Sequence, residues 1–158
     1  MHGNANWNYR PATAADVPEL ARLLTLLGHL TTPAQLAGRW RGWCKLGNIA
    51  LVAARRDDTL AGAITISQTC MLHKAATVGR ITALVVDEPE RRSGIGAALV
   101  RLAEEALEAA GCQLVEVTSN ARRHEAHCFY KRIGYVAKDL YFAKQLASST
   151  QAEPPGRA

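Results

Sequence analysis

One stretch limits the fold more than any other. Residues 77–87 (TVGRITALVVD) are apolar after Arg80 and rich in β-branched side chains, the pattern of a strand covered on both faces. Residues 95–110 form an Ala/Leu/Glu-rich segment with helical spacing of its apolar positions. A short turn, DEPERRSGIG, joins the two, and a further strand-like run follows at Gln113–Ser119. A helix between two neighbouring strands of one sheet makes those strands parallel and the connection a crossover. The helix is predicted from about Gly94 to Ala110, with Ile95, Leu99, Leu102, Ala106 and Ala110 on the buried stripe and Glu104, Glu105 and Glu108 outward.

The turn also states a chemistry. The first N–H groups of a helix have no intrahelical partner, and the helix dipole adds partial positive charge there. Gly94 and Gly96 let backbone approach a ligand closely, and Arg91 and Arg92 add full charge. Arg91-Arg92-Ser93-Gly94-Ile95-Gly96 is therefore a phosphate cradle, and a diphosphate would satisfy each part of it.

The other elements set the fold class. Trp7–Ala12 reads as a first strand. Asp16 and Glu19 read as a capping box opening a helix with Leu20, Leu23, Leu24 and Leu27 on one face, ending near Gly28. Thr32-Pro33-Ala34-Gln35 starts a second helix carrying Leu36, Trp40 and Trp43, whose indoles are read as core anchors. Asn48–Arg56 and Leu60–Met71 form a hairpin about Asp57-Asp58-Thr59, His124–Ile133 is a short helix closed by Gly134, and Tyr135–Leu146 supplies final strand material. The order is β-α-α-β-β-β-α-β-α-β, an α+β architecture with a mixed central sheet and helices on both faces. The 158 residues suit one domain, read as 1–147, with a polar, proline-containing tail at 148–158 expected to be disordered.

Composition excludes several classes. No apolar run reaches membrane-spanning length, and MHGNANWNYR lacks the regions of a secretory signal. The expectation is a soluble cytoplasmic protein whose four cysteines are free thiols. A net charge of +5 is compatible with anionic partners, but no zinc-finger spacing or aromatic RNA-binding strand is present, so nucleic acid is not expected as the partner. Nor is a membrane.

Two familiar phosphate cradles fail. No Lys-Ser/Thr follows the glycines, as a nucleotide P-loop requires. The dinucleotide fingerprint lacks its third glycine, because Gly94-Ile95-Gly96 runs into Ala97-Ala98-Leu99. The stretch Arg91–Ala97 instead resembles the Gln/Arg-x-x-Gly-x-Gly/Ala loop of the GNAT superfamily of acyl-CoA-dependent N-acyltransferases. Asn120 and Ala126–Tyr135, with its Phe129-Tyr130-x-x-x-Gly134-Tyr135 core, resemble that family's second motif. The likeness covers about residues 7–146. It implies the GNAT fold with a splayed pair of parallel strands, acetyl-CoA as cosubstrate, and coenzyme contacts from Leu84, Val85, Val86, Arg91, Arg92, Ser93, Gly94, Ile95, Gly96, Ala97, Asn120 and Tyr130. It implies direct transfer of an acetyl group to the primary amine of a small molecule or peptide, a possible homodimer through Tyr141-Phe142-Ala143, and an acceptor pocket walled by residues 28–47. A non-catalytic acyl-CoA-binding module would carry the same cradle.

Acyl transfer needs N–H groups for a developing oxyanion and an acid for the leaving thiolate. The resemblance makes Tyr130 that acid. Many relatives place a glutamate on the strand before the cradle, but Arg80-Ile81-Thr82-Ala83 has no carboxylate. A water held by backbone or Thr82, His73 itself, or an amine arriving neutral are the alternatives. His124 and His127 beside Cys128 do not complete a metal site, and none is expected. Arg122, Arg123 and Lys131 are either ribose-phosphate contacts or solvated charges.

Overall fold

The computed structural model describes residues 7–120, 122–138 and 142–144. The chain divides into two compact units, Met1–Arg122 and Arg123–Ala158.

The first unit is built on a five-stranded sheet in sequential order: β1 (Asn8–Pro11), β2 (Ile49–Ala54), β3 (Leu60–Thr69), β4 (Thr77–Val86) and β5 (Cys112–Val117). The first four pair antiparallel, and β4 and β5 pair parallel. The parallel pair is the one expected on either side of α3 (Ile95–Ala109). The remaining helices of this unit are α1 (Val17–Leu26) and α2 (Pro33–Lys45).

The strand alternation shows how the helices are distributed. Val52, Ala63 and Val85 stand opposite one another on successive strands and pack with Leu20 and Leu23 of α1. The next residue along β3, Gly62, points to the other face. A Cβ placed there would lie 3.0 Å from Ile95 and 3.3 Å from Leu99 of α3. Gly79 of β4 lies against Leu107 of α3 in the same way, with 2.7 Å between a Cβ and the nearest methyl. Helices therefore cover both faces, and α3 sits close because glycine leaves it room.

The structure moves three details of the sequence reading. The buried stripe of α3 is Ile95, Leu99, Val100, Ala103 and Leu107, so Leu102 and Ala106 are only partly covered and Ala110 is exposed. The stripe is wide enough to take neighbouring positions such as 99 and 100, whereas a single line of residues three or four apart drifts off the face. Asp16 stands at the N-cap of α1, as read, but its side chain makes no cap bond there. Its carboxylate ends a 3-10 turn (Ala14–Asp16), accepts from the Thr13 N–H at 2.7 Å, and takes Arg10 in a two-bond fork at 2.7 and 2.8 Å. A guanidinium fork outcompetes a helix amide for a carboxylate. Thr32 and Gln35 do form the reciprocal box that opens α2.

The second unit contains α4 (His124–Arg132), closed at Gly134. Tyr135–Lys138 and Phe142–Lys144 carry no strand, which corrects the expectation of final strand material there. The other residues of that stretch, Tyr141 among them, lie outside the described residues, as does the 148–158 tail.

Candidate active site

The site begins where β4 loses a neighbour. Its pairing with β5 ends at Ile81 opposite Val117, while β4 continues to Val86. On its other side the register with β3 shifts: Thr65 faces Ala83, but Ile66 faces Ile81, leaving Thr82 as an extra, bulged residue. Thr82 is fastened by its hydroxyl, 2.7 Å from the Thr65 hydroxyl and 3.1 Å from the Thr65 carbonyl. The Asp87 N–H donates to Ala61 of β3 at 2.8 Å. By the alternation of a strand, Val85 and Ala83 also turn their backbone toward β3, and Leu84 and Val86 turn theirs to the open side. The Val86 carbonyl there accepts Arg91 Nε at 3.4 Å.

The open edge runs directly into the cradle. A 3-10 turn (Glu88–Glu90) leads to Arg91, and Gly94 is the N-cap of α3 with φ 90°. Arg92 also has positive φ, at 66°, a conformation unusual outside glycine. Left-handed residues in a loop gather successive N–H groups toward one concavity. The first helical bond is from the Ala98 N–H to the Gly94 carbonyl. The N–H groups of Ile95, Gly96 and Ala97 are thus left for a ligand. Arg91, Arg92 and Ser93 are exposed around them, and Ile95 anchors the helix start in the core.

An ion network holds this turn in place. Asp87, at the end of β4, takes Arg22 of α1 at 3.2 Å and Arg55 beyond β2 at 3.0 Å. Arg55 also reaches Glu90 at 3.3 Å, and Arg22 reaches Glu19 at 3.0 Å. Both guanidinium groups donate to the Leu60 carbonyl at 2.9 Å, and Glu19 accepts the Leu60 N–H at 3.2 Å. Burial raises the Asp87 carboxyl, but hydrogen bonds and charge from Arg22 and Arg55 outweigh it and leave it below its ordinary value. Sequence reasoning missed this network. Its members are scattered from position 19 to 90, and no local spacing marks them.

A second feature lies on the α1/α2 face. A cleft of about 260 Å³ is lined by Leu20 and Leu24 of α1, by Leu36, Arg39, Trp40 and Trp43 of α2, and by Ala50, Ala63, Thr65, Ala83 and Val85 of the sheet. The tryptophans are half-buried and stack at 5.7 Å with 26° between planes. No residue of α2 is fully buried. The reading of these indoles as core anchors holds for Trp40, which packs against the core cluster, and not for Trp43. Trp40 reaches the core's edge, but the alanines of the floor leave space where larger side chains would close the packing.

His73 is exposed in the turn between β3 and β4. The unpaired part of β4 begins at Thr82, five residues past Thr77, or about 16 Å at the rise of an extended strand. His73 is on the wrong end of β4 to serve chemistry at the opening. Glu116, one register step before it on β5, is engaged by Arg80 at 3.2 Å and Lys74 at 3.7 Å. Asn120 is exposed beyond β5, its side-chain oxygen accepting the Arg122 N–H at 2.9 Å.

In the second unit, Tyr130 is half-buried between Phe129 and Tyr135, with ring centroids at 5.2 and 5.5 Å. Burial pushes its hydroxyl up to about 12. His124 and His127 meet edge to face at 6.2 Å. Among the described residues no three His, Cys, Asp or Glu side chains gather as a metal site, and all four cysteines are free.

Comparison with known proteins gives one consistent answer. Residues 18–135 match the Acetyltransferase (GNAT) family. The chain is 37% identical over 99 residues to the aminoalkylphosphonate N-acetyltransferase of Salmonella typhimurium, a match covering 63% of this chain and 64% of that relative. The chain thus spans just under two thirds of that relative's length. Among solved structures it resembles an acetyltransferase of Trypanosoma brucei (TM-score 0.78, 21% identity, 89% of this chain and 100% of that one). It also resembles the glucosamine-6-phosphate N-acetyltransferase of Arabidopsis thaliana (TM-score 0.75, 20% identity, 89% and 98%). At these identities the structural likeness speaks for the fold.

Proposed function

Because the chain belongs to the GNAT acetyltransferase family, we propose that it moves the acetyl group of acetyl-CoA directly to the primary amine of a small molecule or peptide, as one domain over residues 1–147. The observation that carries this reading is the unpaired edge of β4 running into the N-terminus of α3. The N–H groups of Ile95, Gly96 and Ala97, with Arg91, Arg92 and Ser93, receive the coenzyme diphosphate. Leu84 and Val86 offer backbone groups to the pantetheine amides, and Val85 packs beneath them. A backbone N–H on the same edge stabilises the oxyanion as the amine attacks.

The reaction balances within these parts. The amine nitrogen forms the new C–N bond, the C–S bond breaks, the nitrogen gives up one proton, and the departing thiolate takes one up. Tyr130 donates a hydrogen bond to that sulfur until the thiolate is protonated from water, and its raised affinity for its own proton keeps it in the donor form throughout the working range. Asn120 contributes to coenzyme binding. The stretch Arg80-Ile81-Thr82-Ala83 at the bulge carries no carboxylate, so the amine enters neutral or loses its proton to water held by backbone or Thr82. The Salmonella relative is an aminoalkylphosphonate N-acetyltransferase, which supports a small amine as the acceptor here.

The test is free thiol release from acetyl-CoA across a panel of small amines and peptides, with the acetylated product identified by mass. Tight acetyl-CoA binding with no thiol release for any acceptor would turn the assignment into an acyl-CoA-binding module. We also read the protein as cytoplasmic and as a homodimer, the dimer supported by the exposed Phe142 (84%). A monomeric mass by light scattering at micromolar concentration removes the dimer.

A further inference from the structure

We propose that the cleft between α2 and the sheet selects a monoamine with an aromatic body and one acid group, the acid paired with Arg39 and the ring held against Trp40 and Trp43. The inference rests on the acetyltransferase reading for its chemistry, but its specificity comes from the cleft alone.

The cleft's size sets the first limit. A cavity of about 150 Å³ holds benzene. At about 260 Å³ this cleft takes an aromatic ring and about three or four further heavy atoms. Its shape comes from Ala50, Ala63 and Ala83 on the floor, on strands whose other inward positions are filled by branched residues such as Val52 and Val85. Its walls are two stacked indoles and the leucines of α1 and α2. A flat apolar body suits such walls, because indole faces favour stacked or edge-on rings.

Charge sets the second limit. Arg39 is the charged residue among those lining the cleft, and no carboxylate joins it. Arg22, Arg55, Arg80 and Arg101 are all engaged by acids. The Arg39 side chain has no hydrogen bond or ion pair among the described residues. It lies on the α2 face shared by Leu36, Trp40 and Trp43, which recur three and four apart. A guanidinium at the mouth of an apolar cleft binds a carboxylate or phosphonate in a fork and repels a second ammonium. Polyamines and aminoglycosides are thereby disfavoured.

The reacting amine has one polar place on the floor. Thr65 lines the cleft, and its hydroxyl is joined to that of Thr82 on the bulge. Ala83 also lines the cleft, one residue before Leu84 and its open-edge backbone. An amine there is next to the strand edge along which the thioester is proposed to lie.

The experiment compares 4-(2-aminoethyl)benzoate and its phosphonate counterpart with phenethylamine, which lacks the acid, 3-aminopropylphosphonate, which lacks the ring, and spermidine. The expected kcat/KM for the better of the two ring-and-acid amines exceeds each of the other three by at least tenfold, and the ratio of the two identifies the preferred acid. Arg39→Ala is expected to lower kcat/KM for the ring-and-acid amines at least ten times more than for phenethylamine, with Arg39→Lys recovering part of the loss. Trp40→Ala is expected to cost the aryl amines more than 3-aminopropylphosphonate. Unchanged acetyl-CoA affinity shows that each variant is folded. Preference for spermidine, phenethylamine or 3-aminopropylphosphonate, or an equal Arg39→Ala effect with and without the acid, overturns the proposal while leaving acetyl transfer intact. If no amine releases thiol, calorimetry with 4-(2-aminoethyl)benzoate on the CoA-loaded protein decides the cleft separately. Binding that weakens tenfold or more in Arg39→Ala supports it, and no binding refutes it.

Discussion

Replacing Tyr130 by phenylalanine removes one hydroxyl and keeps the ring that packs on Phe129 and Tyr135. The size of the effect follows from two acidities. Burial pushes the Tyr130 hydroxyl up to about 12, while the thiol of a leaving coenzyme lies near 8.5 by analogy with cysteine. A full proton transfer from phenol to that thiolate is uphill by about 3.5 pKa units, or about 5 kcal/mol. Tyr130 therefore acts by donating a hydrogen bond to developing negative charge, a contribution of about 1.5 to 3 kcal/mol. That is about a 10- to 150-fold loss in the chemical step for Tyr130→Phe, with little change in acetyl-CoA affinity. The assay is single-turnover acetyl transfer in a rapid-quench instrument, because slow product release would mask the step in kcat. The pH profile supplies a second check. A phenol that holds its proton to about 12 stays a donor through the range where an ordinary tyrosine ionises, so kcat/KM should show no Tyr130-dependent fall up to pH 10.5. An unchanged single-turnover rate refutes the donor role. A descending limb near pH 10 that disappears in Tyr130→Phe refutes the raised affinity for the proton.

Three further outcomes test other parts of the molecule. Gly96→Val should weaken acetyl-CoA binding by about an order of magnitude or more, because a branched side chain at the second position of α3 obstructs the N–H groups left for phosphate; unchanged affinity by calorimetry in a folded variant removes the coenzyme from this loop. His73→Ala should keep activity within about threefold, while log kcat/KM rises with unit slope up to the acceptor's own pKa, since only its neutral form attacks; a loss of about 100-fold or more would make His73 the base. Asp16→Asn should cost about 2 kcal/mol at pH 7, because Arg10 holds that carboxyl near 2 against an ordinary 3.8. A depressed carboxyl stabilises above its unfolded value and loses the effect as pH falls through the folded one, so denaturation curves of the two proteins should converge near pH 2.

The legible parts of this chain are those whose physics is local. A β-branched run, two glycines, two arginines and an amphipathic helix occupy contiguous positions, and the parallel β4–β5 pair with α3 between them follows from that order. The start of α2 at Thr32-Pro33 is legible for the same reason, although the reciprocal Thr32–Gln35 bonds that close it appear only in the structure. The N-cap position of Asp16 is legible, but its side-chain bonding is not: Arg10 belongs to the preceding strand, and its forked charge takes the carboxylate in place of a helix amide. Core packing holds for Trp40 and not for Trp43, because burial of an aromatic depends on what faces it. Trp40 and Trp43 have the spacing of a core stripe, but Ala50, Ala63 and Ala83 face them across the cleft, and those alanines come from three different strands. The bulge at Thr82 is equally invisible in sequence, because it is a mismatch of register between two strands and belongs to neither alone. Cradle and cleft thus differ in origin. The cradle is a property of one turn, so its motif announces it. The cleft exists through small residues on separate strands that meet only in the sheet, and acceptor choice, which depends on that space, follows from the assembled sheet.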